Sequence, residues 1–241
     1  MCPRCKGPLV SSESRHSCVA CARDYPIVCG IPDFRLEPDP YIGIEEDRNK
    51  GERLFAESHG RSFEKLLRFY YAETPDDPED LAARWIAHAL AEVAIARGLL
   101  QGEPSIVGTS ADTALLDVGC STGALLIAAG DMFHTLVGVD VAFRWLVVGR
   151  LRLKEAGVSA TLVCANAEHL PFRDGTFQII TCTDTLEHVS DVRATCREAT
   201  RVAAEAALLL FTANNRLAPL DRKSTRLNSS HIQKSRMPSS A

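Results

Sequence analysis

No run of apolar residues in this 241-residue chain approaches the ~18 needed to cross a bilayer, which predicts a protein outside the membrane. No signal-peptide pattern opens it either, because Met1 is followed at once by Cys2-Pro3-Arg4-Cys5. Neither sign of charge dominates: 27 Lys and Arg face 31 Asp and Glu, for a formal net charge of −4. The basic surplus of a nucleic-acid binder is therefore missing, and no DNA partner is expected. A G-x-G-x-x-G turn is also lacking, so the pyrophosphate of a dinucleotide is not the expected ligand. What the composition does supply, 46% hydrophobic and 24% charged residues, is that of a globular chain of one or two domains with a real core.

Cysteine is not scarce. There are nine, an odd number, which argues for a reducing, cytoplasmic setting and for metal binding over disulfides. Cys2-x2-Cys5 and Cys18-x2-Cys21 are separated by twelve residues. Each C-x2-C turn aims two thiolates at one ion, and two turns close a tetrahedral Zn²⁺ site with no open position. Such a site is structural. His16 and Cys29 are weaker alternatives, since both lie outside the paired C-x2-C spacing.

Residues 115–140 carry the chemistry. Leu115-Leu116-Asp117-Val118-Gly119-Cys120-Ser121-Thr122-Gly123 reads as an apolar strand ending in an acid and a glycine turn. A second strand, Leu136-Val137-Gly138-Val139, ends in Asp140. Strand, turn, helix and a second strand tipped by a carboxylate make half of a nucleoside site, because a carboxylate accepts two hydrogen bonds from ribose hydroxyls. Asp117 beside the turn would repel phosphate and suit a cationic ligand.

This pattern resembles motif I of the class I S-adenosylmethionine-dependent methyltransferases, with Ser121 where the middle glycine usually stands. Three further segments follow in the family's order. Ala165-Asn166-Ala167-Glu168-His169-Leu170-Pro171-Phe172 is similar to A-D-A-E-x-L-P-F, with Asn166 replacing the acid that meets the adenine amino group. Phe177–Cys182 reads as a buried strand, with Gln178 in place of the usual Asp. Asp184-Thr185-Leu186-Glu187-His188-Val189-Ser190-Asp191 resembles the D-V-L-E-H-V-x-D segment of the small-molecule branch. Residues 25–34 at the N-terminus resemble the zinc ribbon of the tRNA-methyltransferase-activator type, with Cys29 replacing an Asp.

The resemblance implies an α/β, Rossmann-like sheet preceded by a small zinc ribbon, with core strands one to five present and strands six and seven missing. Expected domains are a ribbon at 1–40, a helical linker or cap at 41–110 and an incomplete S-adenosylmethionine-binding core at 111–220. The segment 221–241 carries six serines, five Lys/Arg and one acid, and resembles translated adapter sequence. It is expected to be an artefact or a disordered tail, and without it the formal charge falls from −4 to −8. Strand five would then be an open apolar edge, and the chain a poorly stable fragment with an incomplete substrate wall.

Apolar spacing in 45–71 predicts one rough helical face, and the Thr74–Pro78 stretch predicts a helix break. Leu81–Leu100 reads as an Ala-rich helix, with Tyr70, Tyr71, Trp85 and His88 as either packing or lid residues. Arg150, Arg152 and Lys154 are expected at a solvated end of the helix at 141–156. By resemblance, the cofactor is held by Asp117, Gly119, Cys120, Ser121, Gly123, Asp140, Val141, Asn166, Ala167 and Asp184. Structural zinc is held by Cys2, Cys5, Cys18 and Cys21. Glu187 and His188 are either a general base or structural. Three functions stay open: a methyltransferase for a small-molecule acceptor, an rRNA or tRNA methyltransferase, and a non-catalytic adaptor binding zinc and cofactor.

Overall fold

The computed structural model describes residues 1–73, 79–106, 109–110, 112–212 and 233–236. The expected helix break at 74–78 and the end of the expected core, 213–220, lie outside them.

Four short strands open the chain: β1 (Leu9–Ser11), β2 (Arg15–Cys18), β3 (Asp24–Val28) and β4 (Ile31–Pro32). They pair antiparallel in sequence order and form a small four-stranded ribbon of β-structure. Three helices follow: α1 (Ile44–Glu57), α2 (Phe63–Ala72) and α3 (Glu79–Gln101). The single face expected over 45–71 is in fact two helices. Gly60, at φ +81°, turns the chain between them. Ser62 then starts α2 afresh, its side chain accepting from Lys65 N.

The larger sheet holds β5 (Ala114–Val118), β6 (Thr135–Asp140), β7 (Thr161–Cys164), β8 (Phe177–Cys182) and β9 (Ala203–Phe211). These are core strands one to five, all parallel. The crossover helices are α4 (Ala124–Ala129), α5 (Phe143–Ala156) and α6 (Val192–Val202). A sixth strand, β10 (Gln233–Arg236), completes the order β10-β9-β8-β5-β6-β7. Strand five is therefore not the open edge expected from the sequence: β10 pairs antiparallel with it, Gln233 opposite Phe211 and Arg236 opposite Leu208. The physical reason is the unsatisfied row of N–H and C=O groups along an apolar edge, which takes up any extended segment that reaches it.

Side chains alternate across the sheet, as strand geometry requires. Leu115, Leu136, Ile179, Leu208 and Leu210 face a core built with Leu54, Leu66, Leu126 and Leu146 from the helices. Leu116, Val137, Val163, Ile180 and Leu209 face the other way, toward Ala199 and Val202 of α6. Cys2, Cys18, Tyr25 and Phe34 of the ribbon module share that second core. The connection from β7 to β8, residues 165–176, contains no helix. The ribbon packs against the β6–β7 side of this face, with Phe34 N donating to Cys164 O at 2.7 Å.

One charged side chain corrects the sequence reading. Arg152 is buried and does not mark a solvated helix end. It donates to Thr122 Oγ1 at 2.6 Å and Glu92 Oε2 at 3.0 Å, because α3, packed on α4, brings Glu92 and the Ala89 carbonyl to it.

Candidate active site and metal centre

The C-terminal ends of β5, β6, β7 and β8 open into a cavity of about 750 Å³. That is the place, and a volume, expected for a ligand in a parallel α/β sheet. Asp117, Gly119, Cys120, Ser121, Asp140, Val141, Asn166, Ala167 and Asp184 all line it. Gly123 lies just behind, at φ +76°, where it starts α4.

The turn is built around two carboxylates. Asp140 Oδ2 accepts the backbone N–H of Ser121 at 2.8 Å, and Oδ1 accepts that of Ala142 at 2.8 Å. Burial pushes its carboxyl up, while those two backbone donors pull it back. Asp117 is 2% exposed and accepts from Thr181 Oγ1 at 2.8 Å. Burial drives its carboxyl up to about 7, against the Thr181 hydrogen bond and with a contribution from the charge of Asp140.

Gly119 sits at φ +79°, and a Cβ there would collide with Thr185 Oγ1. Thr185 is fixed by donating to Thr183 O at 2.9 Å. Ser121 takes the left-handed conformation too, at φ +46°, where the family's glycine would fit without strain.

Asn166 is held differently from the expectation. Its Oδ1 accepts from Leu36 N at 2.9 Å and from Glu37 N at 3.1 Å, and its Nδ2 donates to Glu37 O at 3.2 Å. Asp184 sits at φ +50°, its carboxyl raised by partial desolvation at the cavity wall and by Glu187. His188 lies at the cavity mouth, with Nδ1 3.4 Å from the hydroxyl of Tyr41. Tyr71, Trp85 and His88 also line the cavity; Tyr70 packs against Trp145 with ring centroids 4.7 Å apart.

Glu92, Asp117, Asp140, Glu168 and Asp184 make the lining acidic, which favours a cationic ligand. The cavity residues Pro38, Asp39, Pro40 and Tyr41 were not legible in the sequence. They straddle the expected boundary between ribbon and linker at residue 40, and nothing in their spacing marks them as cavity residues.

The four expected metal ligands form one cluster. The sulfur atoms of Cys2, Cys5, Cys18 and Cys21 all lie within 4.8 Å of one another. Cys2–Cys21 is 3.7 Å and Cys5–Cys18 is 3.4 Å. Four sulfurs each ~2.3 Å from one ion would stand just under 4 Å apart, so the donor set fits a tetrahedral site. The two knuckles repeat one backbone design. Lys6 N donates to Cys2 O at 2.9 Å and Ala22 N to Cys18 O at 3.0 Å. Lys6 and Ala22 are both left-handed, at φ 59° and 54°. Burial opposes ionisation of Cys2, but hydrogen bonds from Tyr25 and from the Cys5 and Arg4 backbone bring its thiol down to about 6. Cys29 and His16 are not in the cluster.

Comparison with known proteins agrees with this geometry. Residues 116–211 match the methyltransferase domain family. A ubiquinone biosynthesis O-methyltransferase of Thiobacillus denitrificans is 33% identical over 105 residues, 43% of this chain and 45% of that protein. An uncharacterised protein of Methanocaldococcus jannaschii is 39% identical over 83 residues, 34% of this chain and 33% of that one. Among solved structures, YcgJ of Bacillus subtilis gives a TM-score of 0.45 at 27% identity, covering 51% of this chain and 50% of its own. The chain thus spans less than half the length of these curated relatives. Sheet order, strand-end carboxylates and sequence match point the same way: residues 116–211 are similar to the methyltransferase domain family.

Proposed function

We propose that the chain transfers a methyl group from S-adenosylmethionine to a small-molecule acceptor, and that its cysteine cluster holds a structural zinc ion. The observation that carries the first part is the pairing of Asp140 with the Ser121 backbone at the tip of β5, inside an acid-lined cavity. Asp140 would accept from the ribose hydroxyls, and Val141 would pack beside the adenine. Asp117 and the Gly119–Gly123 turn would hold the methionine part, whose ammonium and sulfonium suit a lining rich in carboxylates.

The sulfonium supplies an already activated methyl group. The residues of this chain therefore contribute alignment and exclusion of water more than bond-breaking power. Asp184 and His188 lie near the open end, where an acceptor would enter. His188, which lines the cavity, would take a proton from a hydroxyl acceptor, and the O-methyltransferase relative supports that acceptor class. The acidic lining and the net charge of −4 disfavour an RNA acceptor.

The test is calorimetric titration of S-adenosylmethionine and S-adenosylhomocysteine into the zinc-loaded full chain. One-to-one binding that Asp140→Ala abolishes is the expected result. A folded chain that binds neither ligand overturns the cofactor assignment.

A further inference from the structure

The ribbon is more than an appendage to this fold. Its exit segment, residues 33–41, runs along the edge of the large sheet before entering α1. Asp33 bridges Cys164 in parallel with β7, and Phe34 N donates to Cys164 O at 2.7 Å. Arg35 reaches the carbonyl of Val141 at 3.2 Å. Asn166 gives its whole side-chain carbonyl to the backbone N–H groups of Leu36 and Glu37. Pro38, Asp39, Pro40 and Tyr41 then line the cavity beside Val141 and Ala167.

Both ends of this segment are tied down. The cysteine cluster and Tyr25 hold the ribbon end, where Phe34 packs on Tyr25 with ring centroids 5.0 Å apart. At the other end a buried network fixes it. Arg35 binds Asp33 and Asp47 at 2.7 Å each, and Arg144 binds Asp39 at 3.0 Å and Asp47 at 2.7 Å. Two prolines with fixed φ make the stretch between them stiff.

We propose that residues 33–41 form the adenine-side wall of the cofactor cavity, anchored by Asn166, so that metal occupancy of the ribbon sets cofactor affinity. This rests on the cofactor and zinc readings above. Asn166 is then a positioning residue. Both lone pairs of its carbonyl are spent on Leu36 and Glu37, so it cannot also accept from the adenine amino group. The ribbon takes the place of a helical crossover over the β6–β7 face, and the base meets a wall made by the ribbon's exit segment.

The test compares four states: full chain and Asn166→Ala, each zinc-loaded and metal-free under reducing conditions. S-adenosylhomocysteine affinity is measured by calorimetry, and amide exchange is followed at Leu36, Glu37 and β5. Metal removal is expected to weaken binding at least tenfold and deprotect Leu36 and Glu37, while β5 stays protected. Asn166→Ala is expected to weaken binding at least tenfold with zinc present. It should add less than twofold once the metal is gone, because both changes act through one segment. Zinc re-addition should restore the unsubstituted chain.

Unaltered affinity in a metal-free chain with protected β5 overturns the proposal. So does a zinc-loaded Asn166→Ala chain with exchanging Leu36 and Glu37 amides and undiminished affinity. If metal removal unfolds β5, the zinc-loaded variant alone decides. A zinc-loaded chain that binds no S-adenosylhomocysteine removes the cofactor reading itself, and this inference falls with it.

Discussion

Thr181 Oγ1 donates to Asp117 Oδ1 at 2.8 Å, across the β5–β8 pair and under the floor of the cavity. It is the hydrogen bond that keeps a fully buried carboxyl from being still harder to ionise. Burial raises Asp117 from 3.8 to about 7 in the folded chain. The folded state therefore binds an extra proton between those values, and stability falls as pH rises through that window. A shift of that size corresponds to roughly 4 kcal/mol at full ionisation. Asp117→Asn keeps an acceptor for Thr181 and removes the titration. Melting profiles of the free chain should fall between about pH 4 and 7, and fall less in the variant. Cofactor binding should show the opposite trend: an ammonium beside Asp117 favours the carboxylate, so affinity should rise from pH 6 to 8 with proton release. Calorimetry in buffers of different ionisation enthalpy reads that proton directly.

Asp47 is fully buried on α1 and serves four donors. Its oxygens accept from Arg35 Nη1 and Arg144 Nη1 at 2.7 Å each. They also accept from Phe143 N at 2.7 Å and Arg144 N at 3.4 Å. Ala142, at the start of α5, offers no side-chain cap, so Asp47 caps that helix from a different element. Asp47→Ala leaves two buried guanidinium groups short of a counter-charge and should cost about 3–5 kcal/mol. The expected outcome is loss of soluble, cooperatively melting protein. Asp47→Asn, which retains an acceptor, should be intermediate in denaturant unfolding.

The strands that end at the cavity and the cysteine knuckles were legible because each is local. A strand tip, a glycine turn and a C-x2-C pair are written in a few adjacent residues. The Asp33–Arg35–Asp47–Arg144 network was not, because its members come from the ribbon exit, α1 and α5, and nothing in their spacing marks them as partners. Arg152 was misread for a related reason. A cation in the last turns of a helix normally faces water, and only the packing of α3 brings Glu92 to it. Asn166 stands in a recognisable motif, yet its partners lie about 130 residues upstream. The pairing of strand five with Gln233–Arg236 was invisible because that segment has no strand periodicity of its own.

The cysteine cluster predicts a stoichiometry. The full chain purified with zinc should hold one ion per chain, released when its thiols are modified. Cys2→Ser or Cys18→Ser, each removing a buried sulfur, should lose that ion and expose Tyr25. Tyr25 hydroxyl lies 3.1 Å from Cys2 Sγ, so near-ultraviolet dichroism should report the change. Cys29→Ser, outside the cluster, should leave zinc content at one. Retention of the ion by both cluster variants would refute the four-cysteine site.

Ser121 and Gly119 give opposite predictions from one turn. Ser121 holds φ +46°, a conformation costing an L residue about 1–2 kcal/mol. Ser121→Gly removes that strain but adds freedom to the unfolded chain, which costs about 0.4–1 kcal/mol. The net should be a stabilisation of up to about 1.6 kcal/mol. The hydrogen bond to Asp140 comes from the backbone, so it survives, and cofactor affinity should change less than twofold. Gly119→Ala adds a Cβ at φ +79° against Thr185, whose hydroxyl is pinned to Thr183. Strain and collision together should cost about 2–3 kcal/mol and displace the turn. Urea unfolding should therefore move to higher midpoint in one variant and lower in the other, with calorimetric binding kept in the first and lost in the second. Equal loss of binding in both would mean that the Ser121 side chain, rather than its backbone, holds the ligand.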